Sequence, residues 1–215
     1  MACHCKQPSE NHHEPMYYSR VRISNGVPTL PEKRPVGDVF HVEYIDIDAC
    51  KEEPGQYIRW TDVPHTSKDY IFPYNCSIYT VIMNAEEWEA TNHWGRMGSE
   101  SRVLMKNLLE DGWNILKPGG SIVIPIDKNV SVMKKTQGRF DYVQIDDGIG
   151  FQLKNLKVAV RHVSDNPWFV NSHTVDELPF ILGTEREWKY LPSVAFLSIT
   201  KPKTGSKRKT RRRLR

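Results

Sequence analysis

Residues Asn114–Ile126 read NILKPGGSIVIPI. Upstream of this stretch, Leu104, Leu108 and Ile115, together with Met105, Leu109 and Leu116, recur at helical spacing and predict a helix over residues 99–116. Ser99 or Ser101 can cap its start. Gly112 sits inside the helix at a cost of ~1 kcal/mol relative to Ala. Pro118 cannot continue a helix, and the Gly119–Gly120 pair can turn left-handed without strain, so the helix is expected to stop there. SIVIPI then predicts a strand, with Pro125 near its end because proline donates nothing to a ladder.

Further strands are expected on either side. FHVEYIDID (40–48) alternates apolar and polar residues, and YIRWTDV (57–63) follows after a turn. CSIYTVIMN (76–84) is a continuous β-rich run, as in a strand buried on both faces. FDYVQID (140–146), LKVAVRHV (156–163) and VAFLSITKP (194–202) are later strand candidates, and VDELPFIL (175–182) is mixed. Residues 26–37, GVPTLPEKRPVG, hold three prolines and two glycines and exclude a helix. Strands interrupted by a helix–turn–strand unit point to an α/β sheet with a parallel portion. The expected organisation is a polar, proline-rich segment at 1–37, an α/β domain at 38–202 and a disordered basic tail at 203–215.

The chain has 215 residues, enough for one domain with a core. No apolar run reaches the ~18 residues of a membrane span. The N-terminus, MACHCKQPSENHHEP, lacks the order of a secretory signal. Cys3, Cys5, Cys50 and Cys76 form no disulfide framework, which suits a reducing compartment, nuclear or cytoplasmic. Lys and Arg total 30, and Asp and Glu 26. Nine of the cations lie in residues 201–215, so residues 1–200 keep 21 cations against 26 acids, a net of −5. The tail contains no acid; its Lys207, Arg208, Lys209, Arg211, Arg212 and Arg213 suit phosphate binding and look like a nuclear import signal.

LLEDGWNILKPGGSIVIPI (108–126) resembles the helix–turn–strand of class I S-adenosylmethionine-dependent methyltransferases, in which an LKPGG turn leads to the fifth strand. The likeness spans roughly residues 40–202. It implies a Rossmann-like methyltransferase sheet with antiparallel C-terminal strands. HVEYIDID resembles the family's second strand, YIRWTDV its third, SIYTVIMNAEEW its fourth and VAFLSITKP its closing antiparallel strand. The resemblance implies S-adenosylmethionine as cofactor, held by Asp46, Asp48 and Asp62. It places Asn84 and Glu86 at the substrate, where amine-directed members carry an Asn/Asp-Pro-Pro-aromatic motif.

The family's glycine-rich loop after the first strand is missing. Only Gly26 falls in the expected region, among prolines that forbid the following helix. The sheet is therefore expected to be incomplete or rewritten in its N-terminal half. The first-strand slot, between the second and fourth strands, cannot stay empty. YYSRVRI (17–23) or another chain would fill it. DDGIGF (146–151) carries Gly-x-Gly after the fifth strand and reads as a turn between strands.

Each candidate also has a plainer reading. Asp46, Asp48 and Asp62 suit solvated strand ends. Glu86 and Glu87 suit the acidic first turn of a helix. Trp88, His93 and Trp94 could stack on a base or serve as partly buried anchors. Cys3, His4, Cys5, His12 and His13 are zinc-type ligands, but without a common knuckle spacing, and no metal site is expected. Two functions follow: a methyltransferase acting on nucleic acid or protein, by in-line attack on the sulfonium methyl, or an inactive methyltransferase-like binding or structural subunit that contacts nucleic acid through its tail. A protein partner completing the sheet or the active site fits the second.

Overall fold

The computed structural model describes residues 20–25, 41–46, 54–57, 59–73, 78–83, 85, 96–174 and 194–203. Nine strands lie among these residues. They are β1 (Arg20–Asn25), β2 (His41–Asp46), β3 (Gln56–Tyr57), β4 (Lys68–Pro73), β5 (Leu116–Asp127), β6 (Val130–Thr136), β7 (Arg139–Ile145), β8 (Phe169–His173) and β9 (Val194–Thr200). The helices are α1 (residues 78–83), α2 (Arg96–Ile115) and α3 (Gly148–Val163).

The main sheet has seven strands in the order β3-β2-β1-β4-β5-β9-β8. β2 is parallel to β3, and β4 to β5. β1 is antiparallel to both β2 and β4, and β9 to both β5 and β8. Five strands thus share one direction, and β1 and β9 oppose it. Arg20–Asn25 fills the slot expected of YYSRVRI, between β2 and β4, but in reverse. The expected α/β sheet, rewritten in its N-terminal half and antiparallel at its C-terminal end, is the fold observed.

α2 ends at Ile115 and β5 begins at Leu116, with no loop between them. The PGG unit lies inside β5 as a bulge. Lys68 pairs with Leu116 and Tyr70 with Ser121, so two residues of β4 span five of β5. Gly119 takes φ +87, which disfavours any side chain. At the end of α2, Asn114 O and Ile115 O accept the backbone N–H of Thr66 and Ser67, each at 2.9 Å, and from β9's end the Lys201 ammonium donates to Trp113 O at 2.6 Å and to Leu116 O at 2.9 Å. It also stands 5.0 Å from the Trp113 ring centre. Burial pulls its pKa below the usual lysine value. Pro125 lies beyond the last β4 pairing, and its carbonyl accepts the Tyr79 hydroxyl at 2.7 Å.

One core joins a single face of the sheet to all three helices. Val21, Ile23, Ile45, Ile71, Ile122, Ile124, Leu197 and Ile199 from the strands meet Ile82, Leu108, Leu109, Leu156 and Ala159 from the helices. At Gly112 an added Cβ would stand 2.9 Å from Ile122 Cδ1, so the glycine lets α2 lie close to the sheet.

Four sequence expectations are corrected. CSIYTVIMN is no strand: residues 78–83 are helical, and Ile78, Val81, Ile82 and Ala85 are buried at helix spacing. YIRWTDV is no full strand. β3 ends at Tyr57, and Trp60–Asp62 form a 3-10 turn with Trp60 buried. LKVAVRHV belongs to α3, whose buried Gln152, Asn155, Leu156, Ala159, Val160 and Val163 follow the helical period. DDGIGF is not a turn between strands but the start of α3, with Asp147 as its cap. VDELPFIL lies outside the described residues.

Candidate functional site

In sheets of this kind, ligands bind outside the carboxyl ends of the parallel strands, with the loop after the first strand supplying close backbone approach. Here that edge carries Asp46 at the end of β2 and Pro73 at the end of β4. Between them stands the beginning of β1, because Arg20 pairs with Asp46 and Val21 with Pro73. The segment that follows β1 leaves from the opposite edge, where Asn25 pairs with His41. The sheet therefore brings no loop from the end of its central strand to the carboxyl edge.

The Gly-x-Gly of α3 offers no replacement. α3 starts near the carboxyl end of β5, where the Gln152 amide donates to Asp127 O at 2.7 Å. One of its N-terminal donors is already taken, since Gly150 N donates to Asp147 Oδ1 at 2.8 Å. A Cβ on Gly148 would stand 2.2 Å from Lys128 O, and one on Gly150 would stand 2.2 Å from Asp147 Oδ2. Both glycines are thus set by packing, and the Asp147 carboxylate opposes an anionic ligand.

Of the residues expected to hold cofactor, Asp46 is placed by its backbone at the end of β2, and its side chain lies outside the described structure. Asp62 is engaged locally: its Oδ2 accepts Arg59 N at 3.1 Å and Arg59 Nε at 3.2 Å, closing the 3-10 turn. Asp48 lies outside the described residues. So do Asn84, Glu86, Glu87, Trp88, His93, Trp94, the cysteine–histidine group at residues 3–13, and the tail cations Lys207, Arg208, Lys209, Arg211, Arg212 and Arg213. Of the acids expected to hold S-adenosylmethionine, Asp62 alone has a described side chain, and it is paired with Arg59.

The densest charged group stands towards the amino end of β4. Lys68, with a 4% exposed side chain, pairs with Glu43. Tyr57 donates its hydroxyl to Glu43 Oε1 at 3.2 Å, and its ring lies 5.6 Å from Lys68 Nζ. Next to it Lys117, from the β5 bulge, donates to Asp69 Oδ2 at 2.9 Å. Burial, then the charge of Lys117, pulls the Lys68 pKa below its ordinary value. Burial, then Asp69, raises that of Tyr70. The cluster ties β2, β3, β4 and β5 together. Glu43 and Lys68 are 25 residues apart, a separation that sequence spacing could not have exposed.

FDYVQID is the expected strand, β7; the second feature missed in the sequence is its partner β6, paired with it from Val130↔Ile145 to Thr136↔Arg139. Gln137 and Gly138 have φ +50 and +84, the geometry of a two-residue hairpin turn. The signal was present: TQGR joins two alternating runs.

No family model and no curated protein matches this chain. Solved structures of a "Putative DNA Modification Methylase" from Thermus thermophilus are similar to it at low level. The selenomethionine form is 16% identical with a TM-score of 0.30, over 71% of this chain and 53% of the other. The form complexed with S-adenosyl-L-methionine is 15% identical with a TM-score of 0.31, over 71% and 54%. The chain spans about half the length of those proteins, and superpositions this loose transfer no residue roles. Among the described residues no helix is long and apolar enough to cross a membrane, and no cluster of three or more His, Cys, Asp or Glu could hold a metal ion.

Proposed function

We propose that this chain is a non-catalytic, methyltransferase-like binding subunit that contacts nucleic acid through its basic C-terminal segment. The observation that carries this reading is the direction of β1. The strand order follows the methyltransferase resemblance, with β1 between β2 and β4 and an antiparallel β9 beside β5. Reversing β1 moves the following segment to the amino edge, away from where that family builds its cofactor loop.

The substrate side supports the same reading. The fourth strand is Lys68–Pro73, so the Asn/Asp-Pro-Pro-aromatic motif would fall on Ile71, Phe72, Pro73 and Tyr74. The last two positions match in type. The polar first position, which would bind the target nitrogen, is Ile71, fully buried in the core. An isoleucine there accepts no hydrogen bond from an amine. The eight cations of residues 203–215 supply a sequence-independent attraction to phosphates, while Lys201 is held at the end of α2.

Calorimetric titration of S-adenosylmethionine and S-adenosylhomocysteine into the full chain tests this. The expected outcome is no saturable heat. Micromolar binding that disappears in Asp48→Ala would overturn the reading and establish a cofactor site rebuilt without its glycines.

A further inference from the structure

We draw no further inference here: the strongest candidate, the exposed face of the β6–β7 ribbon that carries Met133, Phe140 and Tyr142, supports none, because nothing in the structure shows what covers it.

Discussion

In the half of the sheet formed by β4, β5, β9 and β8, chain direction, crossover helix and turn chemistry agree with one another. α2 crosses between parallel β4 and β5, the PGG bulge sets the entry to β5, and Lys201 from the end of β9 closes the helix. In the half formed by β3, β2 and β1, β1 returns into β2 as an antiparallel pair, so no crossover is needed. A nine-residue link (47–55) then joins β2 to a two-residue β3. The two halves share a core and a strand order. They differ in which edge receives the segment after the central strand. Strand order alone is therefore a poor guide to activity, because a site depends on which ends of the strands meet.

The largest expected effect lies in the rewritten half. With no crossover helix among the described residues, its strands depend on the ties between them, and Lys68–Glu43–Tyr57 is the strongest one described. Lys68→Met leaves Glu43, 22% exposed, without its cation. The expected loss is about 3 kcal/mol in urea unfolding, the lower end for breaking a buried pair. Replacing both partners, Glu43→Leu with Lys68→Met, should recover most of it, since the desolvation cost of both charges goes too. A single variant as stable as wild type would mean that apolar contacts alone hold this half.

What could be read from the sequence follows the same division. The LKPGG turn, the 104–116 periodicity and VAFLSITKP depend on local chemistry, and each marked its element. Arg20–Asn25 could be proposed for the first-strand slot, but its direction could not. Alternation reads the same in both senses, and the partners that orient β1 lie as far away as Tyr70–Pro73. CSIYTVIMN misleads for another reason: β-branched composition in residues 76–84 hid the helical spacing of Ile78, Val81, Ile82 and Ala85. In LKVAVRHV the alternation of Val158 and Val160 competed with a helical stripe that includes Gln152 and Asn155, polar residues that a search for apolar periodicity passes over. Of the candidate site, the tail charges and the acids were legible as residue types. The pairing of Asp62 with Arg59 and of Glu43 with Lys68 required the fold.

In the conventional half, a smaller and purely steric effect is expected. Gly148 opens α3 against the Lys128 carbonyl, where an added Cβ would meet backbone oxygen at 2.2 Å. Backbone cannot move aside as a side chain can, so Gly148→Ala should cost about 2 kcal/mol despite alanine's better helix propensity. The loss should appear in urea unfolding with an unchanged m value. A stabilised variant would mean that α3 can shift freely, and that the glycine there has some purpose other than packing.

The smallest effect concerns α2, the crossover that distinguishes the halves. Asp111 is half-buried, and its Oδ2 has no hydrogen-bond partner among the described residues. Burial, with Glu110 adding to it, pushes its pKa up to about 6. Glu110 itself is within 3.6 Å of Lys106, so it is partly offset. A carboxyl whose folded pKa lies above its unfolded value holds its proton more tightly when folded. Its stabilising contribution is complete below about pH 4 and is lost as pH rises through about 6. Asp111→Asn removes that titration. The variant should equal wild type near pH 4 and exceed it by roughly 1 kcal/mol at pH 7, a value reduced for solvent screening at a half-exposed site. The comparison uses the difference between the two proteins at each pH, which cancels the other carboxylates. A difference that stays constant from pH 4 to 7 would mean that Asp111 titrates at the same pH folded and unfolded, and that its charge on the crossover helix is balanced by a group outside the described residues.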